Sequence, residues 1–338
     1  MRVYLTGGTG LVGSHLALHL RARDHEVVAL CRKGADTLLL SGHGCDIVNG
    51  DVRDGSASLA SGMAGCTHLV HAAALVYSNG HWPTVCAVNV EGTENVLRAS
   101  ARAGIPCAVH LSSVAVYGTV DGEVSEVASI ETAIPKDDLY ARSKREAEVA
   151  ARRVAAEEGL ALAILRPSAV YGERDRLMIP ALAEIVRRPL VPMFGSGKNT
   201  LPIVYAGNVA EAIRLVLEDG EGGVTYDVGR DETLTQRQLF QWLAAGLGRQ
   251  PRFVRIPAGV VRGAVGLLCT LGVGTPGAKH LPLERVARLA LGENPYPSLE
   301  IRRKLAWSPS ETHQQALMRS GKWFVANSRH RSEQKGHG

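Results

Sequence analysis

Apolar residues fall along this chain in two patterns: short continuous runs, and longer segments where they recur every three or four positions. Val3 to Leu5 is the first run; a glycine cluster follows, then Leu11, Val12, Leu16, Leu18 and Leu20 at helical spacing. His25 to Cys31, Cys45 to Asp51, Thr67 to Ala74, Ile105 to Leu111 and Leu160 to Leu165 predict five more strands. Between them, Val88 to Leu97 carries the apolar face of a helix, and an Ala-, Arg- and Glu-rich helix begins at Tyr140. Continuous rather than alternating runs suit strands covered on both faces. Strands alternating with helices predict an α/β fold, a doubly wound parallel sheet.

Composition narrows the class. The chain has 338 residues, 45% apolar and 21% charged, so it folds around a sizeable core. Its net charge of +5 comes from 30 Arg and 8 Lys scattered along the sequence. No basic stripe interleaves with aromatics, which argues against nucleic-acid binding. Cysteines 31, 45, 66, 86, 107 and 269 form no C-x-x-C pair, so reduced thiols in a cytoplasmic protein are expected, with no metal site. Met1 stands directly before the first strand, leaving no room for a signal peptide, and no stretch of about 20 apolar residues predicts a membrane span. Residues 258–274 are unusually apolar; a buried helix and a lipid-facing rim or oily substrate pocket both remain open.

Strand, glycine turn and helix form a phosphate-binding unit. Gly7 allows the tight turn, Gly10 the approach of backbone to a diphosphate, and Gly13 close packing of helix on strand; the helix N-terminus then faces the anion. The second strand ends Cys31-Arg32-Lys33, basic where an acid would accept the ribose hydroxyls of NAD, so Arg32 and Lys33 favour NADP. Tyr140 and Lys144, four apart, share a helix face, and Ser113 closes the Ile105–Leu111 run.

The G-x-x-G-x-x-G spacing in Thr-Gly-Gly-Thr-Gly, with Ser113, Tyr140-x-x-x-Lys144 and Arg166-Pro167-x-x-Val170-Tyr171-Gly172, resembles the extended branch of the short-chain dehydrogenase/reductases. The resemblance implies a Rossmann domain over 1–168 with 200–230 returning to it. A smaller substrate-binding region would take 169–199 and 231–326, with a flexible tail at 327–338. It implies a cofactor site of Gly7, Thr9, Gly10, Leu11, Val12, Gly13, Arg32, Lys33, Asp51, Val52, Ala72, Ala73, Ala74, Tyr140, Lys144, Pro167 and Val170. Asp51 would meet the adenine, and the small residues 72–74 would let backbone pass the diphosphate. The implied catalytic set is Ser113, Tyr140 and Lys144, with Asn89 from V-N-x-x-G-T holding a water relay and substrate.

Those residue types suit hydride transfer. A phenol with a pKa near ~10 is a poor base until a neighbouring ammonium lowers it. Tyr140 could then exchange a proton with a substrate oxygen that Ser113 holds.

Sugar-nucleotide epimerases and dehydratases of the branch carry an Arg where Leu201 stands and an Asp where Asn208 stands. G-x-G-x-N over Gly195–Asn199, with Val204-Tyr205-x-x-Asn208-Val-Ala, instead resembles the 3β-hydroxysteroid dehydrogenase-like group, as do Ala72-Ala…Tyr77 and the closing helices. The implied activity interconverts a secondary alcohol and a ketone on an apolar, steroid-, isoprenoid- or fatty-ketone-like substrate, with NADP or NAD. The alternatives are a nucleotide-sugar epimerase or dehydratase, and a non-catalytic cofactor sensor. Helices over 86–104 and 139–158 resemble those that pair in family homodimers; contact with a membrane surface stays open.

Overall fold

The computed structural model describes residues 1–76, 81–118, 120, 122–124, 132–270 and 291–335. Tyr77, much of the 119–138 loop and residues 271–274 lie outside the described residues. Seven strands form one parallel sheet: β1 (Arg2–Thr6), β2 (Glu26–Cys31), β3 (Asp46–Asn49), β4 (His68–His71), β5 (Cys107–Leu111), β6 (Ala161–Pro167) and β10 (Thr225–Val228). Their order is β10-β6-β5-β4-β1-β2-β3, so the winding reverses at β1, between β2 and β4. Ligands of such sheets bind beyond the strand ends at that reversal.

Alternate residues of each strand feed opposite layers. Val3, Leu5, Val27 and Ala29 pack with Leu16 and Leu20 of α1 (Leu11–Arg21) and Val209 and Ile213 of α8 (Ala206–Asp219). Tyr4, Val28 and Leu69 pack the other way, against Val96 and Leu97 of α5 (Gly92–Arg102) and Ala151 and Val154 of α6 (Leu139–Glu158). Strands buried on both faces are what the continuous apolar runs require. Short helices α2 (Leu38–Gly42) and α3 (Ser56–Ser61) complete this part.

The helix expected from Val88 is built in pieces. It opens as α4 (Trp82–Cys86), widens into a π turn over Ala87–Glu91, and continues as α5. The π turn carries Asn89, and such turns recur at functional sites.

Beyond β6 the chain builds a second core from β7 (Ala169–Tyr171), α7 (Met178–Val186), β8 (Val191–Phe194), β9 (Ile203–Tyr205), α9 (Gln236–Gly246) and β11 (Phe253–Ile256). Then come α10 (Ala258–Thr270), α11 (Leu299–Leu305) and α12 (His313–Lys335). Residues 327–335, expected as a flexible tail, are helical and continue α12. Asn327 Nδ2 donates to Trp323 O (2.9 Å) and Ser328 Oγ to Phe324 O (2.6 Å), and no Gly or Pro interrupts the turn before Gly336. Among the described residues no helix is long and apolar enough to cross a membrane.

Candidate active site

The glycine turn is shaped by close approach. Gly7 has φ +75°, and a Cβ there would sit 2.7 Å from the carbonyl of Ala72, where the chain leaving β4 crosses the chain leaving β1. A Cβ on Gly13 would stand 2.2 Å from Gly7 O, so α1 rests directly on the turn. Gly10 differs: its Cβ would lie 3.1 Å from Gly7 O, its N–H already donates to that oxygen (2.9 Å), and it is exposed. It caps α1 without a side-chain hydrogen bond, so no side chain caps the first-turn amides of Leu11, Val12 and Gly13. Thr9, Leu11 and Val12 are half-buried beside it.

At the ends of β2 and β3 an open cleft of about 390 Å³ is lined by Arg32, Lys33, Asn49, Gly50, Asp51 and Asp54. Arg32 and Lys33 are exposed there, in no ion pair among the described residues. Asp51 is engaged by Arg53, whose Nε and Nη2 each donate to it at 2.9 Å, and those bonds hold its carboxyl below the ordinary range. Val52 is buried, its carbonyl accepting from Asn95 Nδ2 (3.2 Å).

An uncapped helix start at the winding reversal and a cleft one strand over that presents the cations of Arg32 and Lys33 fit the diphosphate and adenosine ends of a dinucleotide. Asn49, Gly50 and Asp54 escaped the sequence reading, although they adjoin Asp51.

Ala72–Ala74 leave β4 tied to β1: Thr6 O accepts from Ala72 N–H (3.3 Å) and Thr6 Oγ1 from Ala73 N–H (3.2 Å). Beneath them lies a buried chain of polar groups. Thr6 Oγ1 meets His71 Nδ1 (2.7 Å), His71 Nε2 meets Thr93 Oγ1 (3.0 Å), and Thr93 donates to Asn89 O (2.7 Å).

Asn89 is 2% exposed and fully engaged. Its Oδ1 accepts from Leu75 N–H (2.7 Å), while Nδ2 donates to Leu75 O (3.0 Å) and Ser143 Oγ (2.9 Å). Ser143 Oγ donates in turn to Tyr140 O (2.8 Å). Asn89 therefore ties the loop after β4 to the turn of α6 that carries Tyr140; as arranged it is a positioning residue.

Lys144, one turn beyond Tyr140, is 4% exposed, and its Nζ donates to Leu111 O at the end of β5 (2.7 Å). Burial pushes its pKa down to about 8, against the opposing pull of Glu148. Ser113 lies two residues past Leu111; it caps the 3-10 turn Val114–Tyr117, its Oγ accepting from Ala115 N–H (3.2 Å). Backbone of Val116 is pinned by Arg145, whose Nε donates to its carbonyl at 3.0 Å.

Under Lys144 two imidazoles stack, His71 and His110, with centroids 5.4 Å apart. Burial first, then the Lys144 charge, pushes His71 down to about 3 and His110 well below its ordinary value. Both nitrogens of His110 lack a hydrogen bond among the described residues.

A charged network that the sequence did not announce supports the far side. Glu148 holds Arg166 through paired bonds of 2.8 and 2.6 Å, Arg166 Nη1 donates to Tyr117 Oη (2.8 Å), and Tyr117 donates to Asp227 (2.8 Å). It joins α6, β6, the Tyr117-Gly118 turn and β10. Pro167 ends β6 buried beside Val228, and Val170 is half-buried on β7. Leu201, where epimerases of the branch carry Arg, is buried in the C-terminal core and offers no cation. Asn208 is a buried hub rather than a ligand-facing group: Nδ2 donates to Asp231 (2.8 Å) and Glu311 O (2.9 Å).

Residues 3–229 match the model of the NAD dependent epimerase/dehydratase family. The chain is 29% identical to a 4-hydroxy-2-methyl-3-oxo-4-farnesyl-3,4-dihydroquinoline-1-oxide ketoreductase of Stigmatella aurantiaca over 94% of this chain and 95% of that one. It is 28% identical to a 3β-hydroxysteroid dehydrogenase/Δ5→4-isomerase of Mycobacterium tuberculosis, over 96% and 90%. Among solved structures it is similar to dTDP-glucose 4,6-dehydratase of Streptomyces venezuelae with NAD bound, with a TM-score of 0.72 and 25% identity, over 97% and 98%.

Proposed function

The chain belongs to the NAD-dependent epimerase/dehydratase family and is an NAD(P)-dependent oxidoreductase of the extended short-chain type; we propose that it reduces a ketone, or oxidises the matching secondary alcohol, on an apolar small molecule. The observation that carries this reading is the Lys144 Nζ–Leu111 O bond, which ties the Tyr140 helix to the strand end that leads into Ser113. The nicotinamide cofactor, when bound, supplies or accepts the hydride. Tyr140 exchanges the proton at the substrate oxygen, Ser113 donates a hydrogen bond to that oxygen, and the Lys144 ammonium favours the phenolate. Asn89 and Ser143 hold the Tyr140 turn in place.

NADP is favoured over NAD because Arg32 and Lys33, in no ion pair among the described residues, line the cleft where a ribose phosphate would lie. An apolar substrate is supported by the names of the ketoreductase and steroid-dehydrogenase relatives and by Leu201, which replaces a diphosphate-gripping Arg. A cytoplasmic homodimer paired through α5 and α6, where Val149 is 65% exposed, belongs to the same proposal.

The test is tryptophan-fluorescence titration with NAD(H) and NADP(H), on wild type and Arg32→Ala, followed by turnover on a panel of hydrophobic ketones. Tight NADPH binding that weakens selectively in the variant supports the cofactor assignment, and preference for NADH indifferent to Arg32 overturns it. Turnover of sugar nucleotides but of no hydrophobic ketone would overturn the substrate class.

A further inference from the structure

Strands β8 and β11 form a two-stranded parallel sheet, paired Val191↔Phe253 through Phe194↔Ile256. Parallel sheets are ordinarily covered on both faces. Here one face is: Val191 is 0% and Met193 3% exposed. The other carries Pro192, Phe194, Val254 and Ile256, none of them buried, with Val254 41% exposed and Leu190, just before β8, 55% exposed. α10 begins at Ala258, directly after β11, and Val260 in its first turn is 59% exposed.

The stretches that build that surface carry charge of one sign. Arg249, Arg252 and Arg262 are exposed and make no ion pair among the described residues, although many arginines elsewhere in the chain do; Arg255, paired with Met193, belongs to the other face. Neither 249–264 nor 187–198, the two stretches that build the face, contains an Asp or Glu. An unpaired cationic rim around exposed aliphatic side chains matches a bilayer bearing anionic headgroups: hydrocarbon enters the acyl boundary and guanidinium groups meet phosphate.

We propose that the β8–β11–α10 face is a peripheral docking surface for anionic membrane. It would seat the enzyme where an apolar substrate is dissolved. That benefit rests on the proposed substrate class, but the docking itself does not.

The experiment is co-sedimentation of the full chain with vesicles of phosphatidylcholine alone and of phosphatidylcholine mixed with phosphatidylglycerol. Wild type should partition onto the mixed vesicles and release at high salt. Replacing Arg249, Arg252 and Arg262 together by Ala should lower partitioning about a hundredfold, at about fivefold for each cation near the surface. Val254→Asp with Val260→Asp should abolish it. NADPH titration of each variant reports that the fold is intact, and a wild type that binds cofactor yet fails to sediment overturns docking while leaving the reductase reading standing. Sedimentation that survives all five substitutions also overturns it. A change in lipid-free oligomeric state in the Val variants, with sedimentation unchanged, would assign the face to a second copy of the chain instead.

Discussion

Arg166 and Glu148 meet through two parallel hydrogen bonds, 2.8 and 2.6 Å long, with 4% and 3% of their side chains exposed. Removing one partner of such a pair leaves the other charge buried alone, at a cost of about 3–5 kcal/mol. Glu148→Gln should therefore lower the denaturation midpoint strongly, and Arg166→Met combined with Glu148→Leu should recover much of the loss. Chemical denaturation of the two variants checks this; equal loss in both would show that the pair stabilises beyond mutual compensation.

Lys144 makes a second, pH-dependent prediction. Its folded pKa is pushed down to about 8 from 10.5, so the unfolded chain holds the proton more tightly. Above pH 8 the folded state has released it while the unfolded state has not, so stability should rise with pH between about 8 and 10.5. Below pH 8 the buried ammonium works against folding by about 3 kcal/mol. Melting temperatures across this window, taken as the difference between wild type and Lys144→Met, should show that rise; a flat difference would mean that the amine is not desolvated.

The imidazoles behave in the same direction at lower pH. His71 is held neutral, its pKa pushed down to about 3, while an unfolded histidine protonates near 6.5. Stability is fully present above about 6.5 and is lost as pH falls toward 3. His110 adds to this loss, and among the described residues its ring nitrogens have no hydrogen bond to forfeit. His110→Leu should thus keep or raise the neutral-pH melting temperature and flatten the acid limb. A large drop at pH 7 would contradict the unpartnered ring.

The three glycines should separate. Gly13→Ala and Gly7→Ala drive a Cβ into backbone at 2.2 and 2.7 Å, and Gly7 also requires positive φ, so each should destabilise by about 3 kcal/mol or more. Gly10→Ala, meeting one atom at 3.1 Å, should cost little stability and act on cofactor affinity instead. Denaturation and NADPH titration of the three variants test the ordering.

At the candidate catalytic group, Tyr140→Phe should lower kcat by about 10²–10⁴ while leaving the NADPH dissociation constant within about twofold. Single-turnover kinetics beside fluorescence titration separate the two. Asn89→Ala should instead loosen both, because it removes the tie to Ser143 that seats the Tyr140 turn.

By itself the sequence determined what local pattern can encode. Continuous apolar runs marked six of the seven strands of the sheet, since a strand buried on both faces has no polar side. The spacing of Gly7, Gly10 and Gly13 marked the turn, and a four-residue interval placed Tyr140 and Lys144 on one face. Tertiary structure decided whatever depends on residues far apart in the chain. Asn89 meets Ser143 across 54 positions, Tyr117 meets Asp227 across 110, and no local spacing records either bond. The stacking of His71 on His110 follows from the pairing of β4 with β5, a register set only when the sheet assembles. Gly10 shows the same limit on a small scale: the turn's closure, which gives its amide to Gly7 O, follows from the fold and not from the spacing. Charge burial is likewise a property of the assembled layers, which is why Arg166 reads as one arginine among 30 until β6, α6 and β10 enclose it.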